Sequence, residues 1–285
     1  MKNIQNHFAL ENGVQIPNIA YGTYKAAEGK TSDVIKLAIE AGYRHFDTAS
    51  FYKTEEPLRE AIEESKIPRE DFFITSKLWK DEMGYENAKK ACRASMERLG
   101  TGYLDLYLIH WPIPAPDYKE WKALDLETWR ALEELYKEGR VKAIGVSNFL
   151  PHHLENILQN CKIRPMTDQI EFHPGYTQEA TVKYCQEHGI LVEAWSPIGR
   201  QRILKEPVIQ KMAASYQVSV AQICLRFALQ RGIVPLPKSS SRERMEQNQD
   251  LFSFEISEED MYRLMTLPQI GWSGEHPDRE RIRLE

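Results

Sequence analysis

Long apolar runs are absent from this 285-residue sequence. No segment approaches the roughly 18 consecutive apolar residues that a membrane-spanning helix needs. The opening residues, Met1 to His7, also lack the apolar stretch of a secretory signal peptide. The sequence therefore predicts a cytoplasmic protein with no membrane partner.

Residues that build disulfides and metal sites are few or badly spaced. The four cysteines are Cys92, Cys161, Cys185 and Cys224. They form no C-x-x-C pair and lie in helix-like segments, which favours buried free thiols over disulfides. No metal-ligand spacing relates the histidines at His45, His152, His153 and His173. We therefore expect no metal site.

An excess of basic charge is missing as well. The chain has 37 lysines and arginines against 42 aspartates and glutamates, which gives a formal net charge of -5. No basic face dominates, so nucleic acid is not an expected partner. The hydrophobic and charged fractions, 42% and 28%, are those of an ordinary globular protein.

What the sequence does contain is a regular alternation of short apolar segments and longer amphipathic ones. Strands are predicted at Asn18–Tyr24, Tyr43–Asp47, Phe72–Lys77, Tyr103–His110, Ala143–Ser147, Met166–Glu171, Leu191–Ala194 and Ile233–Leu236. The helices between them are predicted near Asp33–Ala41, Glu56–Ser65, Tyr85–Leu99, Asp125–Glu138, His152–Cys161, Gln178–His188, Ser219–Gln230 and Ser241–Leu251. Such alternation implies parallel strands, because parallel neighbours need crossover connections. Eight repeats predict an α/β fold of the (β/α)8 or TIM barrel type, which takes about 250 residues. A doubly wound sheet is the alternative, although no switch point or linker marks one.

Further segments lie outside this repeat. Phe8 to Pro17 predicts a β-hairpin that turns at Asn12-Gly13. Two extra helices are predicted, at Glu206–Ala214 and Ser257–Leu267. We expect residues 1–285 to form one domain, with the barrel proper over about 18–251 and a C-terminal helix and tail over 252–285.

The active site of such a barrel lies at the carboxyl ends of its strands. Those ends carry Asp47, Lys77, His110, Ser147 with Asn148, Gln169, Trp195 with Ser196, and Lys238 with Ser239. Tyr52 lies in the loop after Asp47. A tyrosine pKa is ordinarily about 10, and a neighbouring ammonium lowers it. Asp47, Lys77 and Tyr52 are therefore predicted to form a relay that makes Tyr52 a general acid, with His110 binding or orienting the substrate oxygen.

Six stretches of the sequence, in order, resemble the aldo-keto reductase family. They are Gly42–Ala49 with Tyr52, Ile74–Trp79, Tyr103–Pro112, Ile144–Phe149, Gln169–Pro174, and Pro237–Ser239 with Arg244 and Asn248. The resemblance runs from the hairpin almost to the C-terminus. The tail around Gly271-Trp272-Ser273-Gly274 is most similar to bacterial-type members such as the 2,5-diketo-gluconate reductase group.

This resemblance implies a monomeric reductase that converts aldehydes or ketones, as small-molecule substrates, to alcohols with NADPH. The cofactor would bind without a Rossmann fold, and the sequence has no G-x-G-x-x-G. The family's catalytic roles fall on Tyr52 as general acid, Lys77 as its pKa-lowering partner, Asp47 as the anchor of the lysine and His110 as the carbonyl-orienting group.

The resemblance also implies a set of binding residues. Contacts to the nicotinamide would come from Ser147, Asn148, Gln169 and the ring of Trp195, and contacts to the pyrophosphate from Ser196 to Gly199, including Ile198. The 2′-phosphate would meet Lys238, Ser239 and Arg244, and a helix start with two cations suits a phosphate. The remaining cofactor contacts would be Gly22, Thr23, Tyr24, Asp47, Gln247 and Asn248. The substrate pocket would be lined by Tyr24, Trp79, His110, Trp111 and Trp272.

Some positions depart from the family's pattern. Gln247 replaces a common glutamate at the adenine, which we expect to weaken cofactor binding without abolishing it. Trp195 replaces a common tyrosine, and its larger ring preserves stacking. Tyr24 replaces a tryptophan and Lys53 a glycine, and both changes concern substrate preference rather than reaction class.

Other functions are compatible with parts of the pattern. Asp47 and Lys77 alone would suit an ordinary ion pair at a barrel mouth. A cofactor-binding sensor or structural member of the same fold is one alternative, although all four catalytic positions are intact. A barrel hydrolase that uses Asp47 is another, and it lacks a second positioned carboxylate.

Overall fold

The structure is a computed structural model that describes residues 7–26 and 31–283. It begins with a β-hairpin in which β1 (His7–Ala9) pairs antiparallel with β2 (Gln15–Pro17). Gly13 has a φ of +86° at the turn, a conformation that glycine adopts without steric cost. The predicted hairpin is present.

Eight parallel strands follow. They are β3 (Tyr21–Gly22), β4 (His45–Asp47), β5 (Phe73–Leu78), β6 (Leu106–Ile109), β7 (Ile144–Ser147), β8 (Thr167–Glu171), β9 (Leu191–Trp195) and β10 (Val234–Leu236). Each strand pairs with the next one along the chain. Backbone hydrogen bonds from Ala20 to Pro235 and from Gly22 to Pro237, both 3.1 Å, join the first strand to the last. The predicted (β/α)8 barrel is therefore confirmed.

Helices connect these strands on the outside. They are α1 (Thr31–Glu40), α2 (Glu55–Ser65), α3 (Tyr85–Leu99), α4 (Trp121–Lys137), α5 (Pro151–Leu158), α6 (Glu179–Glu187), α7 (Pro207–Tyr216), α8 (Val220–Gln230), α9 (Arg242–Gln249) and α10 (Glu258–Met265). The predicted extra helices correspond to α7 and α10. Within residues 7–26 and 31–283, no helix is both long enough and apolar enough to cross a bilayer.

Some predicted bounds are wrong. Helix α4 begins at Trp121, four residues before the predicted start, because the Trp121 ring packs 4.9 Å from that of His153 and extends the apolar face. The segment after β9, where no helix is predicted before Glu206, forms 3-10 turns over Gly199–Lys205. All four cysteines are free, and Cys161 is only half-buried.

The hairpin covers the amino end of the barrel. The Ile16 side chain is fully buried. The Asn12 side chain donates a 2.9 Å hydrogen bond to the carbonyl of Lys142, which lies just before β7. The carboxyl ends of the strands, where the predicted site lies, are at the opposite face.

Side chains along β5 alternate between the helices and the barrel interior, as strand geometry requires. Ser76 faces α2, where its hydroxyl donates a 2.6 Å hydrogen bond to Glu55. The next residue, Lys77, points inward and is fully buried. The pleat of β5 thus delivers an ammonium group to the interior of the barrel.

Candidate active site

A buried ion pair forms the floor of the site. Lys77 Nζ lies 2.6 Å from both carboxylate oxygens of Asp47 and 3.1 Å from the carbonyl oxygen of Thr48. These three acceptors match the three N–H donors of an ammonium group. Asp47 is only 4% exposed. The interior of the barrel therefore holds a fully hydrogen-bonded charge pair at the ends of β4 and β5.

Tyr52 lies above this pair, on the short 3-10 turn Ser50–Tyr52. Its hydroxyl is 3.2 Å from Nε2 of His110, which follows β6. The Lys77 ammonium is 5.1 Å from the centroid of the Tyr52 ring. The structure thus brings together the four residues predicted to be catalytic.

Burial sets the protonation of the two groups that face the substrate side. It raises the pKa of Tyr52 well above its ordinary value, and the charge of Asp47 acts in the same direction. It lowers the pKa of His110 well below its ordinary value, with further contributions from Lys77 and Lys80. The tyrosine pKa therefore moves opposite to the direction expected from a neighbouring lysine alone. At neutral pH, Tyr52 carries its proton and His110 is uncharged.

Gln169 on β8 connects the ion pair to the opposite wall of the barrel. Its side-chain amide donates a 2.8 Å hydrogen bond to Asp47, across 122 positions of sequence. Its backbone carbonyl accepts a 2.8 Å bond from the Ser147 hydroxyl. These bonds show that the polar strand ends of β4, β7 and β8 converge.

Asn148 extends this wall to β9. It has a φ of +63°, in the left-handed region that asparagine tolerates better than most residues. Its amide nitrogen donates to the carbonyl of His110 at 2.9 Å, and its amide oxygen accepts from the Trp195 indole at 2.8 Å. Ser196, the next residue, also has a positive φ of 50°. Asn148 thereby connects the Trp195 indole to the backbone of His110.

Glu193 on β9 is a buried acid that is not among the predicted site residues. One of its carboxyl oxygens is 3.5 Å from the amide nitrogen of Gln169, and its side chain is fully buried. Burial, followed by the charge of Asp47, raises the pKa of Glu193 to about 8. In the sequence, an acidic residue within the otherwise apolar predicted strand Leu191–Ala194 is the signal for this interior position.

Two exposed cations lie beyond β10. Lys238 and Arg244 flank the start of α9, and in the described parts of the chain no carboxylate lies within 4 Å of either cationic group. Ser239, between them in sequence, is buried, and its hydroxyl accepts a 3.1 Å bond from the backbone of Ser241. Cations without partners at a helix start fit a phosphate group.

The other predicted cofactor residues lie along the same rim. Thr23 donates its hydroxyl to the Asp47 carbonyl at 2.9 Å, and its backbone to the same oxygen at 3.0 Å. A Cβ atom on Gly22 would lie 3.4 Å from the carbonyl oxygen of Leu236, so the backbones approach closely there. On α9, Asn248 is buried and Gln247 exposed, while Ile198 is partly buried beyond β9.

Aromatic side chains lie beside Tyr52 and His110. The Tyr24 ring is 4.9 Å from that of Tyr52, and the Trp79 ring is 4.9 Å from that of His110. Trp111 and Trp79 share a neighbour in the Lys80 ammonium, which is 4.9 Å from the Trp111 ring and 5.9 Å from the Trp79 ring. Trp272 in the tail stacks 6.0 Å from Tyr176. Tyr24 and Trp79 thus contact residues predicted to be catalytic, whereas Trp272 lies against a loop after β8.

The tail is anchored to the strand ends by a buried contact that sequence reasoning missed. Ser273 donates its backbone and its hydroxyl to the two carboxylate oxygens of Glu171, at 2.9 and 2.7 Å. Both residues are almost completely buried. The contact spans 102 positions, so no local pattern signals it.

The structure also groups two histidines for which the sequence showed no metal spacing. The ligand atoms of His152, His153 and Asp278 lie within 4.8 Å of one another. However, Nδ1 of His153 accepts a 3.0 Å bond from the Leu150 backbone, which places the proton of the neutral ring on Nε2. The Nε2 atom is 2.9 Å from a carboxylate oxygen of Asp278. The cluster is therefore better suited to holding the tail than to ligating a cation.

Comparisons with known proteins cover nearly all of the chain. A model described as the Aldo/keto reductase family matches residues 18–207 and 204–267. A glyoxal reductase of Bacillus subtilis is 46% identical over 270 residues, covering 94% of this chain and 95% of that protein. A solved aldo/keto reductase from Brucella melitensis has a TM-score of 0.85 at 40% identity, covering 91% of this chain and 98% of that one. An aldo-keto reductase of Bombyx mori, solved in complex with NADP, has a TM-score of 0.86 at 34% identity, covering 98% and 95%.

Proposed function

Because the chain belongs to the aldo/keto reductase family, we propose that it is an NADPH-dependent reductase of aldehydes or ketones with Tyr52 as the general acid. One observation carries the proposal. The Tyr52 hydroxyl and His110 Nε2 lie 3.2 Å apart above the buried Asp47–Lys77 pair. We also propose that residues 1–285 form one domain.

The two side chains form a binding site for a carbonyl oxygen. Tyr52 is protonated and His110 is neutral, so each can donate a hydrogen bond to that oxygen. When bound, the reduced nicotinamide supplies the hydride. Negative charge then develops on the oxygen, and Tyr52 transfers its proton there. An alkoxide is a stronger base than a phenolate, so a tyrosine with a raised pKa still functions as the acid.

Lys77 and Asp47 support this proton transfer. As Tyr52 loses its proton, the ammonium 5.1 Å from its ring stabilises the developing negative charge. Asp47 and the Thr48 carbonyl hold that ammonium in place and keep it charged. We assign Lys77 the role of stabilising the tyrosinate, and Asp47 that of anchoring the lysine.

The cofactor assignment rests on the polar and cationic groups of the rim. Lys238, Ser239 and Arg244 would hold the 2′-phosphate, since both cations lack a protein partner within the described residues. The nicotinamide would lie against the Trp195 ring and the amides of Asn148 and Gln169. The NADP complex of the Bombyx mori relative supports a nicotinamide cofactor here.

Oxidation of NADPH and of NADH, followed by absorbance with a panel of aldehydes, dicarbonyls and keto-sugars, tests the proposal. We expect turnover with NADPH to exceed that with NADH, and the double variant Lys238→Met/Arg244→Met to lose this preference. Equal use of both nucleotides by the unaltered protein would reject the 2′-phosphate role. Tight NADPH binding without turnover of any carbonyl would favour the sensor function.

Replacing the general acid gives a sharper test. Tyr52→Phe should lower kcat by roughly 10²- to 10⁴-fold, the usual contribution of acid–base catalysis. NADPH affinity, measured by fluorescence titration, should change little because the ring remains. Tyr262→Phe removes the hydroxyl of a tyrosine that is 67% exposed on α10, and it serves as the matched control. Loss of NADPH affinity in Tyr52→Phe would instead indicate a structural role for the hydroxyl.

A further inference from the structure

Lys80 places a cation beside the catalytic pair. It opens the 3-10 turn Lys80–Glu82 that follows β5. Its ammonium is 4.9 Å from the ring centroid of Trp111 and 5.9 Å from that of Trp79. The Trp79 ring also contacts His110, with ring centroids 4.9 Å apart. The Trp79 indole is therefore a shared neighbour of the Lys80 ammonium and of the predicted carbonyl site.

The turn that carries Lys80 is tied to the turn that carries Tyr52. The carboxylate of Glu82 accepts a 2.6 Å bond from the Ser50 hydroxyl and a 2.7 Å bond from the Trp79 backbone. Ser50 begins the 3-10 turn that ends at Tyr52. These bonds fix the position of the cation relative to the proton donor, as recognition of a substrate requires.

This ammonium is partly desolvated and has no close counter-charge. Lys80 is half-buried, and across residues 7–26 and 31–283 no carboxylate lies within 4 Å of Nζ. Burial lowers the pKa of Lys80, and the charge of Glu275 opposes that change. A cation that has lost water without gaining an ion pair is costly, and a bound anion would remove that cost.

Among the described residues, Glu275 is the acidic group whose charge opposes the fall in the pKa of Lys80, and it is already shared with two arginines. A carboxylate oxygen of Glu275 is 3.2 Å from Arg281 and 4.0 Å from Arg200. Arg200 is also close enough for its charge to act on Tyr52, against the rise in the tyrosine pKa. Lys80 thus shares Glu275 with two arginines, and the nearby Glu82 carboxylate is engaged by the Ser50 hydroxyl and the Trp79 backbone.

We propose that Lys80 binds a carboxylate group of the substrate, so that the preferred substrates are aldehydes or ketones that also carry a carboxylate. The inference rests on the proposed function and deepens it. The carbonyl carbon gains a hydride from the reduced nicotinamide, the oxygen gains the Tyr52 proton, and the carboxylate is unchanged. Because the Lys80 ammonium contacts Trp79 and Trp111 rather than the oxygen site itself, the carboxylate belongs several bonds away from the carbonyl.

Two aldehydes of the same shape test this preference. 4-Carboxybenzaldehyde carries a carboxylate, and 4-formylbenzamide carries a neutral amide in its place. We expect the unaltered protein to show a kcat/KM at least tenfold higher for the carboxylate, a difference of about 1.4 kcal/mol. Lys80→Met should remove this ratio chiefly through KM for the acid, while Lys80→Arg should retain it. Added salt should also lower the ratio in the unaltered protein, since ions screen exposed charges.

Lys122→Met is the matched control, because Lys122 also lies over a tryptophan, 5.6 Å from the ring of Trp121, but on the outer helix α4. It should leave the ratio unchanged. Should Lys80→Met slow both aldehydes equally, Lys80 merely supports Trp79 and Trp111, and the proposal is overturned. A ratio near one in the unaltered protein, or one insensitive to salt, also overturns it while leaving carbonyl reduction intact. Reduction of neither aldehyde nor any other carbonyl would instead reject the proposed function, and this inference with it.

Discussion

Lys53 follows the proposed proton donor and has a φ of +58°. A residue with a Cβ atom is disfavoured in this left-handed region by roughly 1–2 kcal/mol, and glycine is not. The family's frequent glycine at this position thus has a backbone explanation, and Lys53 is a strained substitute at the end of the Ser50–Tyr52 turn. A single sequence does not reveal φ, so from the sequence alone this departure is interpreted as a matter of substrate preference.

Variants of the buried Asp47–Lys77 pair should affect the free energy of unfolding and the catalytic activity differently. Lys77→Met leaves the Asp47 charge without its main partner, and breaking a buried pair in this way costs about 3–5 kcal/mol. The double variant Asp47→Asn/Lys77→Met removes both charges, so it should regain most of the free energy of unfolding while staying inactive. Urea unfolding and NADPH oxidation measure the two effects. A double variant that recovers activity would exclude the role of Lys77 in proton transfer.

Glu193 should make stability depend on pH. Its pKa is about 8 in the folded protein against an ordinary 4.5. Between those values the folded state keeps a proton that the unfolded state releases, so the free energy of unfolding falls as pH rises. Each such proton contributes a slope of about 1.4 kcal/mol per pH unit.

Glu193→Gln removes this proton and should flatten the fall in stability between pH 5 and 8, as measured by urea unfolding across that range. Glu60→Gln replaces an exposed glutamate on α2 and should leave the slope unchanged. An unaltered slope in Glu193→Gln would show that Glu193 does not hold a proton in the folded state.

Helix starts were the most predictable elements, because their signals are local. In the sequence, Ser219 and Gln222 have the three-residue spacing of a capping box. The box is present at α8, where the Ser219 hydroxyl accepts from the Gln222 backbone at 3.2 Å. Some strand lengths were overestimated: of the predicted strand Asn18–Tyr24, only Tyr21–Gly22 forms a strand. Strand limits depend on neighbours distant in sequence, which a local pattern does not contain.

The capping box at α8 gives a prediction at this scale. Ser219→Ala should lower the free energy of unfolding by about 1 kcal/mol, since one backbone N–H of the first turn loses its acceptor. Ser241→Ala is the control, because the Ser241 side chain at the start of α9 makes no capping hydrogen bond. Urea unfolding of both variants makes the comparison. Equal losses of unfolding free energy in the two variants would show that the capping box itself contributes no stability.

At the scale of the molecule, the barrel and the convergence of Asp47, Tyr52, Lys77 and His110 could be predicted from strand ends and motif order. The contacts that close the rim could not. Glu171 meets Ser273 across 102 positions, and His153 meets Asp278 in the tail. Both contacts depend on how the polar tail, which is interrupted by glycines, folds back over the strands. The tail sequence has no periodicity from which this path could be predicted.

Because the hairpin covers the amino end of the barrel, the proposed cofactor and substrate would both enter at the carboxyl end. The proposed nicotinamide contacts lie deep in it, with Gln169 only 1% exposed, whereas Tyr24 at the pocket wall is 42% exposed. A carbonyl compound seated first would block the nucleotide behind it. Turnover should therefore follow a compulsory order, with NADPH entering first and NADP⁺ leaving last. In product-inhibition kinetics, NADP⁺ should compete with NADPH, whereas the alcohol product should not. A random-order pattern would contradict entry of both molecules at the carboxyl end alone.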